Sequence, residues 1–249
     1  MRTSKAQQAE TRARIVRCAV ALMSREGYDA VTMKDVARAA KIGDSTIYKY
    51  FPSKERLILG YFDLVAEEAI AARRDTPDID GYDLQSRLQR LTDAVLERLE
   101  PDRRFVEIAR PLVAKAPLLL LGDKMVAKRT LKDVVHADLE HAVASNEIPP
   151  SDFLRLMSGL YVDYCLGVIA YWLADASPER ADTTRFVDQT LGIVVAVLKA
   201  GLPDRVVELG LFVVRSQFAR LVPSAHSAGF ERTSDQDDED GEATPGTSA

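Results

Sequence analysis

Residues 31–55 have the sequence VTMKDVARAAKIGDSTIYKYFPSKE, whose pattern predicts two short helices joined by a turn. Thr32, followed three residues later by Asp35, is typical of a capped helix start. The second helix ends at Pro52 because proline cannot continue a helix, and Ser53 is suited to cap a longer one. Two short helices separated by a polar turn of four residues predict a helix-turn-helix.

Helical periodicity extends on both sides of this segment. Apolar residues repeat along one face from Ile15 to Met23, and Gly27 stands where a left-handed C-terminal cap is expected. The helix that Ser53 caps runs to about Arg74. Further helices are expected at 83–99, 103–115, 122–146, 151–176, 181–200 and 204–221. Strand signals are scarce, so the sequence predicts an all-α fold of about nine to ten helices.

Charge is unevenly distributed along the chain. The 33 basic and 38 acidic residues give a net charge of −5. Residues 1–60 hold 12 basic and 6 acidic side chains, a net charge of +6, whereas residues 231–249 hold 1 and 7, a net charge of −6. A basic head on an acidic body is typical of a protein that binds a polyanion at one end.

One stretch, residues 156–174, is apolar and long enough to span a bilayer. However, Asp163 and Ser158 lie within it, and no cluster of Lys or Arg flanks it, so we expect a helix buried in protein and no membrane partner. The first residues lack the apolar core of a signal peptide. The expected location is the cytoplasm.

Motifs of enzymes and metalloproteins are also missing. The sequence has no nucleophile elbow, Gly-rich phosphate loop or HExxH motif, so we expect no catalytic residues and no enzyme activity. His136 and His141 are five residues apart and diverge on a helix, while Cys18 and Cys165 stand far apart. We therefore expect no metal and no cofactor.

Residues 11–60 resemble the DNA-binding domain of the TetR family of bacterial transcriptional regulators. The resemblance is carried by REGY at 25–28, VTMKDVA at 31–37 and TIYKYFPSKE at 46–55. It implies a homodimeric repressor that binds a palindromic double-stranded DNA operator and is released by a small, largely apolar effector. A transcriptional activator or a ligand-independent architectural DNA binder is the alternative. The family usually has glycine where this chain has Lys41, so either a strained turn conformation or a slightly different turn is expected there.

With this resemblance, the chain divides into three parts. We expect the helix-turn-helix DNA-binding domain at 1–52 and a larger helical domain for ligand binding and dimerisation at 53–222, joined by the helix that starts at residue 53. Residues 223–249 are rich in Ser, Gly, Asp and Glu and are expected to form a disordered acidic tail. This tail is either a solubilising segment or a competitor of DNA for the basic head.

Nine residues are expected to contact DNA. Five lie on the outward face of the second short helix and four around it. They are Asp44, Ser45, Thr46, Tyr48 and Lys49, with Thr32, Lys34, Tyr50 and Lys54 around them. The resemblance implies that Thr32, Tyr48, Lys49 and Lys54 contact phosphates, and that Lys34, Asp44, Ser45 and Thr46 read bases. Asp44 either accepts a hydrogen bond from a cytosine N4 amine or serves as a helix-capping carboxylate.

The body offers an interface and a set of candidate ligand contacts. The helices at 151–176 and 181–200 are strongly apolar and are expected to form a four-helix dimer interface or, alternatively, the core of the monomer. Aromatic and apolar residues that suit either an effector cavity or plain core are Phe62, Phe105, Met125, Met157, Tyr161, Tyr164 and Trp172. Arg110 suits an acidic group of the ligand or a surface ion pair.

Overall fold

A computed structural model describes residues 4–114 and 126–201 of the chain. Within these ranges the chain forms nine α-helices and three single 3₁₀ turns, and no strand. The helices are α1 (Lys5–Glu26), α2 (Met33–Ala39), α3 (Asp44–Tyr50), α4 (Lys54–Arg74), α5 (Leu84–Leu99), α6 (Arg103–Ala114), α7 (Val126–Ala144), α8 (Leu154–Ala174) and α9 (Ala181–Lys199). The all-α prediction is confirmed. The helix expected at 204–221, the tail at 223–249 and Met125 lie outside the described residues.

Local capping signals account for the ends of the head helices. The hydroxyl of Thr32 and the carboxylate of Asp35 form the expected capping box at the start of α2, and the Ser53 hydroxyl accepts a hydrogen bond from the amide of Arg56 at the start of α4. A left-handed helical cap was expected at Gly27, which follows α1. Its φ of +88° is positive, but its ψ of 161° lies outside the left-handed helical region, so this prediction is wrong. Lys41 has a φ of +54°, a strained conformation for a residue with a Cβ, as expected for the turn between α2 and α3.

The apolar core of the head, helices α1–α3, continues into the body, helices α4–α9. Ile15, Val36 and Ile47 from the three head helices are fully buried, and the same cluster includes Phe105 of α6 and Trp172 of α8. A second cluster joins α5, α7, α8 and α9. Because one apolar cluster spans head and body, a shift of body helices has a continuous packed route to α1, α2 and α3.

Helix α8 is the one helix in the described ranges that is long and apolar enough to cross a membrane by length and composition. One side of it packs against α5, α7 and α9. The other side is exposed in the single chain, with Leu156 49% and Leu160 57% accessible, so the described residues do not bury α8 completely.

Candidate nucleic-acid interface

Helix α3 presents a polar outer face over one buried residue. Ile47 is fully buried against α1 and α2, which fixes the rotation of the helix. As a result Asp44, Ser45, Tyr48 and Lys49 are exposed, with Tyr48 50% accessible, and Thr46 and Tyr50 are half-buried. Thr32 and Lys34, at the start of α2, are exposed as well.

Asp44 is the first residue of α3, and its carboxylate has no hydrogen bond or ion pair among the described residues. The N-cap position is taken by Gly43, which makes no side-chain cap. The side chains of Ser45, Tyr48 and Lys49 are equally without partners within the described ranges. The exposed side chains of α3 thus provide one carboxylate, two hydroxyl groups and one ammonium group that are available to a ligand.

Lys54 has a different environment from the one expected for a phosphate contact. Its Nζ donates hydrogen bonds to the carbonyl oxygens of Tyr28 at 2.8 Å and Val31 at 3.0 Å, and lies 4.1 Å from the centroid of the Tyr28 ring. The Tyr28 hydroxyl in turn donates to Glu55 at 2.9 Å, and burial, with the nearby Glu55 carboxylate, raises the pKa of Tyr28 to about 12. Through these hydrogen bonds, Lys54 and Glu55 connect the loop between α1 and α2 to the start of α4.

The sequence did not predict the contact between Lys54 and Tyr28, because the two residues belong to separate motifs. The two residues are 26 positions apart, and no periodicity links them. The Thr32 hydroxyl is also engaged internally: it donates to Asp35 Oδ2 at 2.5 Å and accepts from the Asp35 amide at 3.2 Å. The hydrogen bonds that the Thr32 hydroxyl and the Thr32 backbone amide donate to the Asp35 carboxylate lower the pKa of that carboxyl.

The expected ligand contacts do not converge on one cavity. Phe62 lines an apolar cavity of about 80 Å³ between α4, α5, α7 and α8. Met157, Tyr161 and Tyr164 line another, of about 290 Å³, between α8, α9 and their neighbours. Trp172 borders a polar groove of about 650 Å³.

Several of these side chains are already satisfied within the chain. The Tyr161 hydroxyl lies 2.7 Å from both the Thr92 hydroxyl and the Leu88 carbonyl oxygen, and the Trp172 indole donates to Glu100 at 2.9 Å. Phe105 is fully buried in the core, where packing leaves no space for a ligand. Arg110 is exposed on α6.

Known proteins share this architecture. A family model described as bacterial regulatory proteins, tetR family, matches residues 15–61, and another, described as tetracyclin repressor-like, C-terminal domain, matches residues 87–213. The transcriptional repressor KstR of Rhodococcus jostii is 25% identical over 170 residues, which are 68% of this chain and 76% of that protein. The transcriptional regulator UidR of Escherichia coli is 28% identical over 166 residues, 64% of this chain and 80% of that protein.

A solved structure, GusR of Salmonella enterica, has a TM-score of 0.56 at 23% identity, with 79% of this chain and 98% of that chain covered, and supports the fold. The two family models account for the head and for most of the body. The chain belongs to the TetR family of bacterial regulatory proteins and is a helix-turn-helix transcriptional regulator.

Proposed function

We propose that the protein is a homodimeric cytoplasmic repressor that binds a palindromic operator through helix α3 of each protomer and leaves it when a small, largely apolar molecule binds the body. The main support for DNA binding is the exposure of the outer face of α3. Asp44, Ser45, Tyr48 and Lys49 are exposed above the buried Ile47, and the surrounding sixty residues have a net charge of +6. An exposed polar helix face on a basic domain suits the major groove.

The proposed dimer uses the exposed faces of α8 and α9. On α8 the exposed face combines Leu156 and Leu160 with Gly167, where a Cβ would meet no atom of the described residues within 4 Å outside its own helix turn. On α9 Ile193 is 66% exposed and Val194 43% exposed. Apolar and small residues along two adjacent helices support packing of the same pair from a second copy, since small residues let helix axes approach closely.

The proposed effector site is the apolar cavity of about 80 Å³, for which Phe62, Ala66, Leu131 and Ile169 supply lining from α4, α7 and α8. Its volume suits a few heavy atoms, so a larger effector has to push the helices apart. The repressor name of the KstR relative supports repression rather than activation.

The test is selection of bound duplexes from a random DNA library with the purified full chain, followed by salt-titrated binding to the selected sequence. We expect a palindromic site, two protomers per site and a steep decrease in affinity with salt. Binding without sequence preference overturns the operator proposal and favours the architectural alternative. In vitro transcription from a promoter that carries the selected site distinguishes repression from activation.

A further inference from the structure

The carboxylate of Asp63 joins three helices where the head meets the body. Asp63 lies on α4 and is 7% exposed. Its Oδ2 accepts a hydrogen bond from Arg12 of α1 at 2.9 Å, and its Oδ1 accepts one from the backbone amide of Ala127 at 2.9 Å. Ala127 is the second residue of α7, and the first amides of a helix have no carbonyl partner within it. One buried side chain thus connects the first helix of the head to the first turn of a body helix.

The same turn of α7 forms a wall of the apolar cavity of about 80 Å³. Ala127 and Leu131 line this cavity from α7, and Phe62 and Ala66 line it from α4. Protein interiors are close-packed, so a molecule larger than the cavity has to move α7 away from α4. That movement changes the position of Asp63 relative to the Ala127 amide, to Arg12 or to both.

Arg12 also contacts the residue at which α3 ends. Its guanidinium carbon lies 5.4 Å from the ring centroid of Phe51, the C-cap of α3, and Phe51 is 2% exposed. A displacement of Arg12 therefore changes its contact with the buried ring of Phe51, the residue that directly follows α3. Charge-assisted hydrogen bonds suit such a link because they are strong and directional at a partly buried site.

We propose that Arg12 and Asp63 are positioning residues that set the orientation of the DNA-binding head according to the separation of α4 and α7. The proposal rests on the proposed function for its DNA readout. The chain offers a matched control, because a second ion pair joins α1 and α4. In this pair, Nη2 of Arg17 lies 3.2 Å from Oε1 of Glu68. That pair is largely exposed and has no hydrogen bond to α7 among the described residues.

The test measures how filling the cavity changes DNA affinity in different backgrounds. The probe is a duplex selected from a random library by the wild-type chain, and Ala66→Phe places a ring in the cavity. We expect Ala66→Phe to weaken binding about tenfold in the wild-type and Arg17→Gln backgrounds, and less than about twofold in the Arg12→Gln background. Equal weakening in all three backgrounds, or weakening in none, overturns the proposal.

Hydrogen exchange at the Ala127 amide gives a readout that needs no DNA. We expect Arg12→Gln to accelerate this exchange about fivefold or more, since Asp63 loses the group that holds its carboxylate in place, and Arg17→Gln to leave it within about twofold. Equal rates in the two variants overturn the link. Exchange of buried amides in α8 reports whether each variant is folded.

The two proposals fail in different ways. If no duplex is selected from the library, the proposed function is overturned, and the exchange rate of the Ala127 amide still decides whether the link exists. If a duplex is selected but Arg12→Gln and Arg17→Gln respond alike to Ala66→Phe, the link is overturned and the operator proposal stands.

Discussion

Lys49 and Lys54 are five residues apart, but their ammonium groups have different surroundings. Lys49 is exposed and has no ion pair among the described residues, whereas Lys54 donates to two backbone carbonyls. We expect Lys49→Ala to lower the slope of log K against log salt by about 0.9 per protomer, with Tm unchanged. Lys54→Ala leaves two carbonyls without a partner, so we expect a loss of about 1–3 kcal/mol in unfolding free energy.

Salt titrations and denaturant unfolding of both variants measure these effects. A normal unfolding free energy for Lys54→Ala, together with a reduced salt slope, would show that Lys54 leaves Tyr28 and Val31 to contact a phosphate in the complex.

Asp44 is an unusual residue on a face proposed to bind DNA, since phosphates repel a carboxylate. Its exposed position and the absence of a partner within the described residues favour contact with a base. We expect Asp44→Ala to relax discrimination at one C·G pair of the selected site, by about 1–3 kcal/mol in competition with single-base variants of the duplex. Unchanged base preference at every position would show that Asp44 reads no base and acts only as a negative charge at the N-terminal end of the α3 dipole.

Asp93 makes stability depend on pH. Burial, reinforced by the nearby Glu97 carboxylate, raises the pKa of Asp93 from 3.8 to about 6. The folded state therefore binds the proton more tightly than the unfolded state, and stability decreases as the pH rises from about 4 to 6. We expect Asp93→Asn to increase the unfolding free energy at pH 8 by about 1 kcal/mol, allowing for solvent screening, and to have no effect at pH 4.

Urea unfolding at both pH values checks this prediction. An equal gain at pH 4 and pH 8 would show that the asparagine stabilises the chain for a reason unrelated to the charge of Asp93.

At the scale of elements, α4 approaches the end of α3 so closely that one position requires glycine. A Cβ on Gly60 would lie 2.4 Å from Cε1 of Phe51, whose ring is buried and cannot move easily. We expect Gly60→Ala to lower the unfolding free energy by about 1–3 kcal/mol, although alanine is the better helix former.

The control for this prediction is Gly159→Ala on α8, where the nearest heavy atom to the new Cβ is Lys132 Cε at 4.0 Å. Denaturant titrations compare the two variants. Similar changes in both would mean that helix propensity, and not contact with Phe51, determines the effect at Gly60.

At the scale of the whole molecule, the proposed dimer depends on the exposed apolar face of α9. Ile193, 66% exposed, lies on that face, whereas Thr184 is on the opposite side of the same helix. We expect Ile193→Asp to give folded monomers with at least about tenfold weaker operator binding, because a charge would be buried without a partner in the interface.

Thr184→Asp introduces the same charge on the other side of α9, and we expect it to leave the dimer intact. Sedimentation velocity gives the oligomeric state of both variants. A dimeric Ile193→Asp protein would place the interface elsewhere.

Much of the fold was determined by the sequence alone. Thr32 and Asp35 as the capping box of α2, Pro52 as the end of α3 and Ser53 as the cap of α4 were all predicted, and α5 and α9 begin within one residue of the expected positions. These features depend on residues within about four positions of each other, where capping geometry and periodicity act directly.

Tertiary structure alone decided how distant residues are used. Lys54 bonds to carbonyls more than twenty positions away, and Asp63 links residues 51 positions before it and 64 after it. Phe105 is buried in the core. The Tyr161 hydroxyl is hydrogen-bonded to Thr92 on α5, and the Trp172 indole donates to Glu100, which directly follows α5. Such pairings arise from helix packing, in which each buried polar group needs a partner wherever the fold places one, and sequence spacing does not encode that partner.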